Sequence, residues 1–373
     1  MIRSVRFKNY RAFKERGELP LRPVTLLLGR NSSGKSSLCR LVQLVSEAVK
    51  VNEWPSLVLP QVRLAYQNAD IIYGRYLTDL MIGASFEDGI GVETEYYIDK
   101  DMRMKVSGRC VEAGGKREEM RDLDVLKADT NAFLNKDMMR RLEVDGSRLG
   151  FEVDYICPLR TVAKDVYYSS DAKAGLSVSS DGASAYQMLL GSHMGTDGQL
   201  FQNVSDWMEE HLDGQRLKIE KSVEMDDYRF VIERGDAKVR IQEVGQGVSQ
   251  VLPIIVQTYV QKSERVAIIE EPELHLHPSA QIPVMERMAR AAKERNCCYV
   301  VETHSENMVL AVRRMVSRKE LSPDDVSIAY VDMDEETGAA SVRPIEVKSD
   351  GTLTWWPTGV FSEAYDLLND ILG

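Results

Sequence analysis

Short apolar runs and amphipathic stretches alternate along the chain. Val24-Thr25-Leu26-Leu27-Leu28 is a continuous apolar run of strand type, and after a Gly- and Ser-rich break Ser37–Val45 carries apolar residues at 38, 41, 42 and 45, the spacing of one helix face. Far downstream, Val266-Ala267-Ile268-Ile269 predicts a buried strand, Ser279–Arg295 a helix and Cys297–Val301 a further strand. Between these ends, Val92–Ile98 and Met102–Val106 alternate as a hairpin within 90–111, and Leu149–Ile156 has strand character. Residues 184–212 read as helical with Trp207 and Leu212 on an apolar face, and 217–242 as a hairpin through Arg229–Ile232 and Lys238–Ile241. The Ser-, Asp- and Gly-rich stretch Ser169–Gly182 reads as a mobile loop, and 112–147 as a charged, partly helical surface elaboration.

With 373 residues, 43% of them apolar, the chain can bury the core of one large domain or two. No apolar run is long enough to span a bilayer and the N-terminus lacks a signal-peptide core, so a cytoplasmic protein is expected. Five cysteines without metal-type spacing fit a reducing compartment, and adjacent Cys297 and Cys298 fall in a predicted buried strand. The net charge of −11 argues against a surface built for nonspecific nucleic-acid binding. One local exception is the opening segment, where Arg3, Arg6, Lys8, Arg11, Lys14, Arg16 and Arg22 face only Glu15 and Glu18. Their alternation with Val5, Phe7 and Phe13 favours the solvent side of an edge hairpin over a DNA-contacting strip.

Candidate chemistry begins in the break after the first apolar run. Gly29-Arg30-Asn31-Ser32-Ser33-Gly34-Lys35-Ser36 is a complete G-x-x-x-x-G-K-[ST] phosphate loop between a strand and a helix. Its backbone N–H groups can wrap a phosphate, Lys35 can reach the β and γ phosphates, and the Ser36 hydroxyl can ligate Mg²⁺. The strand at 266–269 ends in Glu270 and Glu271, neighbours that point to opposite faces, one placed for magnesium and one for polarising an attacking water. Upstream of them, Gly245-Gln246-Gly247-Val248-Ser249-Gln250 joins two glycines and a serine to a helix start, a second anion-facing segment suited to a partner's nucleotide. Downstream, Glu302-Thr303-His304-Ser305 places a histidine at the end of the next strand, where it can sense the γ-phosphate. His275 and His277, with Glu273, have a metal-like spacing, but a loop contact between subunits is the simpler role.

This order of motifs resembles the ABC-type ATPases of the RecF, SMC and OLD group, and most of all their small stand-alone members described as AAA-family ATPases. Val5–Phe13, Cys157-Pro158-Leu159-Arg160 and Trp355-Trp356-Pro357 resemble further elements of that group, so the likeness spans nearly the whole chain. The resemblance implies an α/β head, a mixed sheet flanked by helices, with a small inserted β-rich subdomain. It implies ATP and Mg²⁺ as ligands, with Arg11, Gly29, Asn31, Ser32, Ser33, Gly34, Lys35, Ser36 and Ser37 at the nucleotide and Glu270 beside Ser36 at the metal. Glu271 would be the general base and His304 the switch histidine. Gly245, Gly247 and Ser249 would act across an ATP-sandwiched homodimer or higher oligomer, and His275–Pro278 would be the D-loop. Two departures stand out: position 270 is more often Asp in ABC ATPases, and no motif marks the γ-sensing glutamine, for which Gln67 is chosen as a further metal-side residue.

The implied organisation is 1–65 and 151–340 as the two parts of the ATPase domain, 66–150 as the insert, and 341–373 as a C-terminal extension. No sustained heptad pattern marks an SMC-like arm, and fewer than 70 residues follow His304, so no OLD-type nuclease domain is expected. Trp355 and Trp356 are expected to anchor the tail rather than bind a partner. Two outputs follow. One is a regulatory or motor subunit of a DNA-directed system, in repair or phage defence, working with a separate effector. The other is an ATP-driven assembly scaffold for a protein partner without direct DNA binding. A small-molecule kinase would share the phosphate loop but would not need Gly245–Gln250.

Overall fold

The structure is a computed structural model describing residues 1–361 apart from 52, 60–61, 76–77, 122–139, 146–148, 176, 196–197 and 223–224. In chain order the strands are β1 (Ile2–Lys8), β2 (Gly17–Pro20), β3 (Val24–Gly29), β4 (Leu80–Phe86), β5 (Gly91–Ile98), β6 (Met104–Ala113), β7 (Lys116–Met120), β8 (Val153–Ile156), β9 (Tyr167–Tyr168), β10 (Arg216–Lys221), β11 (Asp227–Arg234), β12 (Ala237–Arg240), β13 (Val266–Glu270), β14 (Cys298–Glu302), β15 (Val326–Met333) and β16 (Ala340–Ile345). The α-helices are α1 (Lys35–Ala48), α2 (Ala183–Met194), α3 (Gln199–His211), α4 (Gln246–Val260), α5 (Pro278–Glu294) and α6 (Glu306–Ser317). Two compact units divide the chain: Met1–Val153 with Ser327–Val347 and Leu353–Gly373, and Asp154–Val326 with Lys348–Thr352.

The first unit holds an antiparallel sheet of order β2-β1-β4-β5-β6-β7. β1 buries Val5 and Phe7, and the Phe7 ring meets Phe13 edge-on at 5.0 Å, so the expected inward alternation is present. Its position differs from the expected edge hairpin. β4 supplies Leu80, Ile82 and Ala84, all buried, and pairs with the other side of β1, leaving β2 at the edge. Strands of the 66–150 segment therefore extend the N-terminal sheet. Arg3 pairs with Glu87 at 3.3 Å, Arg6 with Glu93 at 3.2 Å, and Arg16 also with Glu93. Within 112–147, residues 116–120 form β7 rather than a helix, and 122–139 and 146–148 lie outside the described residues. In the same unit β3, buried at every position from Val24 to Leu28, lies beside β15, which pairs antiparallel with β16.

In the second unit β13 and β14 run parallel in the register Val266↔Cys298 through Glu270↔Glu302. Every residue of both is buried, as continuous apolar runs in a parallel pair require. The connection is α5, which packs against α4 and α6. Cys297 and Cys298 are buried, each 1% exposed, in keeping with core packing. A smaller sheet of β10-β11-β12, with β9 on β11, joins α2 through the rings of Tyr167, Tyr186 and Phe230. The 184–212 stretch is two helices, α2 and α3, with Trp207 and Leu212 buried. Ser169–Gly182 is tied down rather than loose: Asp181 accepts hydrogen bonds from Ser179 and Ala183, and Val178 donates to Gln257 Oε1 at 2.8 Å.

Candidate functional site

In the first unit the phosphate loop runs from the end of β3 into α1. Gly29 (φ 150), Ser32 (φ 61) and Gly34 (φ 110) have positive φ, a backbone geometry that turns successive N–H groups toward one side. A Cβ at Gly29 would sit 2.4 Å from the Val331 carbonyl oxygen, so glycine is required there for space as well as conformation, and one at Gly34 would press on the Phe13 ring at 3.2 Å. Gly34 is the N-cap of α1 without a side-chain cap, and no acidic residue occupies the first turn. The helix start thus keeps its partial positive charge for an anion. Lys35, 3% exposed, donates from Nζ to the carbonyls of Gly29 (3.0 Å) and Arg30 (2.8 Å), which aims the ammonium along the loop. Ser33 is buried with its hydroxyl unpartnered, and Asn31 and Ser32 are exposed. This cradle fits a nucleotide's phosphates.

The contacts of Arg11 and Gln67 run to residues outside Gly29–Ser37. Arg11 (φ 50) donates from its main chain to Ile71 O at 2.7 Å, and its guanidinium donates to Leu64 O. It is Tyr10, fully buried, that reaches the nucleotide helix, its hydroxyl donating to Ser37 O at 3.0 Å. Gln67 is exposed at the start of a single 3₁₀ turn and lines a shallow cleft with Tyr66, Asn68 and Met102 that includes no residue of Gly29–Ser37.

In the second unit Glu270, 5% exposed, closes β13, and the following residue, Glu271, turns into the left-handed region at φ 44. Its N–H donates to Glu302 O at 2.8 Å, and its carbonyl accepts from Arg160 Nη2 at 3.0 Å. Glu302 ends β14 in register with Glu270 and is buried as well, which sets two carboxylates at neighbouring strand tips. Such a pair suits a cation, and the only sequence signal for the second acid is its place before Thr303-His304. His304 is exposed, and its N–H donates to Glu273 Oε1. Burial pushes the Glu273 carboxyl above the usual carboxylate range.

Gly245 is exposed at the N-cap of α4, and Gly245 and Gly247 line a cleft with Gln246, His275, Leu276 and His277. A Cβ at Gly247 would lie 2.6 Å from the His275 carbonyl oxygen. Ser249, expected to face a partner's phosphate, is instead 2% exposed, its hydroxyl donating to Gln246 O at 2.9 Å. The reason is depth: α4 is buried on every side from Val248 to Thr258, so position 249 is enclosed although it shares a face with exposed Gln246. His277 caps α5, its Nδ1 accepting from Ser279 N at 3.3 Å.

Comparison with known proteins gives the same picture. Residues 186–309, from α2 to α6, match the family model of an AAA ATPase domain. The chain is 23% identical over 375 residues to the OLD nuclease of Thermus scotoductus, with 92% of this chain and 66% of that protein covered, so it spans just under two thirds of that relative's length. Among solved structures, an SMC head bound to the C-terminal winged-helix domain of ScpA covers 93% of this chain and 98% of its own at TM-score 0.52 and 12% identity. The SMC head domain with an extended coiled coil bound to the C-terminal domain of ScpA, from Pyrococcus furiosus, covers 100% and 99% at TM-score 0.50 and 11% identity. The phosphate loop and the AAA ATPase domain match over residues 186–309 support an ATPase of the ABC, SMC and OLD type, and the chain as a whole has a fold similar to SMC heads.

Proposed function

We propose that the protein is an Mg²⁺-dependent ATP hydrolase whose nucleotide cycle makes and breaks a homodimer. The observation that carries this reading is the phosphate loop: glycines at positive φ, an uncapped α1 with no acid in its first turn, and Lys35 folded along the loop. Gly29–Ser37 would hold the phosphates, with the Ser36 hydroxyl as a ligand of Mg²⁺, and Glu270 with Glu302 beside it offers a carboxylate pair suited to a cation. Glu271 would orient and deprotonate the attacking water, and His304 would sense the γ-phosphate. Gly245, Gln246 and Gly247, at the exposed start of α4, would meet the nucleotide of the partner subunit. The test is ATPase turnover and ATP binding in three proteins. Lys35→Ala should lose binding, Glu271→Gln should bind ATP but lose at least about 100-fold in kcat, and EDTA should silence the wild type; full turnover in Glu271→Gln would overturn the assignment.

The conformational switch would serve a DNA-directed system with a separate effector, a reading supported by the likeness to an OLD nuclease and to SMC heads. A second reading, an ATP-driven scaffold for a protein partner without DNA contact, is favoured by the ion pairs that occupy Arg3, Arg6 and Arg16. Fluorescence anisotropy with duplex DNA separates the two. Binding that survives Lys35→Ala and falls with charge removal at Arg3, Arg6 and Lys8 supports the first, and no binding at physiological salt supports the second.

A further inference from the structure

Arg160 is 4% exposed, yet its guanidinium makes no ion pair with a carboxylate among the described residues. Its hydrogen bonds go to main-chain carbonyls: Nη1 donates to Cys157 O and Glu270 O, both at 3.2 Å, and Nη2 to Glu271 O at 3.0 Å. The main chain of Arg160 is itself gripped by one side chain. Gln250 accepts from Arg160 N at 3.3 Å and donates from Nε2 to Arg160 O at 2.8 Å. Gln250 is 7% exposed and lies four residues after Gln246, one turn into α4 and on the same face.

We propose that Arg160 and Gln250 form a positioning relay that ties the start of α4 to the backbone of Glu271. This rests on the reading of Glu271 as the base. A planar guanidinium presents donors in a fixed fork, so one side chain can hold two consecutive carbonyls at set angles. Glu271 needs such a hold because it stands at φ 44, a conformation that a non-glycine residue keeps only when its surroundings over-determine it. Its N–H is fixed by Glu302 O and its C=O by Arg160, so the peptide is gripped at both ends. Burying a cation without a carboxylate partner is unfavourable, and burial lowers the Arg160 pKa to about 10, which leaves it charged at neutral pH. At the other end of the relay, Gly245–Gly247 line the cleft with His275. A partner seated there would shift α4, and Gln250 would pass that shift through Arg160 to the Glu271 carbonyl.

The test compares Gln250→Leu, Arg160→Met and the double variant in the full chain, by steady-state ATPase kinetics and amide exchange at Glu271. The relay predicts that Gln250→Leu lowers kcat about tenfold with the KM for ATP unchanged, and that the double variant is no slower than Arg160→Met alone. It also predicts faster exchange of the Glu271 amide in Gln250→Leu without nucleotide. An unchanged kcat, a parallel rise in KM, or losses that multiply in the double variant would overturn it. Should Arg160→Met fail to fold, Gln250→Leu still decides through kcat and exchange. Glu271→Gln run alongside separates the two ideas: wild-type turnover in that variant removes the base assignment, while exchange at Glu271 still judges the relay.

Discussion

Three residues at positive φ carry the chemistry proposed here: Gly29, Gly34 and Glu271. At Gly29 a methyl group meets both an unfavourable φ and the Val331 carbonyl, so Gly29→Ala should cost about 1–3 kcal/mol in denaturant unfolding and weaken ATP binding by calorimetry. Glu273 gives a pH signature. Its carboxyl is raised above its ordinary pKa by burial, so its favourable contribution is present below that ordinary value and lost as pH rises through the raised one. Glu273→Gln keeps an acceptor for the His304 N–H and removes the ionisation. The variant should therefore melt above wild type at about pH 8, with the gap closing toward about pH 4; a gap constant with pH would contradict the assignment. The glycines were legible in the sequence because a phosphate loop is contiguous and its conformational demands are local. Ser249 was not, because its enclosure depends on what packs around α4, and the role of Arg160 was hidden because two of its three acceptors are more than a hundred positions away along the chain.

At the scale of elements, the β1–β2 hairpin underpins the phosphate loop. Phe13 stacks edge-on against Phe7, backs the Gly34 turn, and lies next to Ala12, whose carbonyl accepts from Ala340 N at 2.8 Å. Phe13→Ala should destabilise the protein by about 3–5 kcal/mol and also raise the KM for ATP, since the turn loses its support. A stability loss with unchanged KM would show that the loop holds its shape without the hairpin. Alternation revealed the inward faces of β1 and β5, because period two is a property of each strand alone. Pairing of β4 onto β1 was not legible: Val5 and Ala84 are register partners brought together only by folding. Continuous burial made β13 and β14 readable from their apolar runs, whereas the register that sets Glu302 beside Glu270 required the structure.

For the whole molecule, the acidic balance and the ion-paired N-terminal arginines weigh on partner choice, the AAA domain match supports an ATPase, and the likeness to SMC heads gives the fold. The central claim is that ATP joins two copies through the exposed start of α4. The most direct measurement is the solution mass of Glu271→Gln by light scattering, with and without Mg-ATP. The account predicts a doubling on ATP addition, lost in a Glu271→Gln, Gly247→Arg double variant that still binds ATP. A mass that stays constant at saturating ATP, or a doubling indifferent to Gly247→Arg, would contradict it.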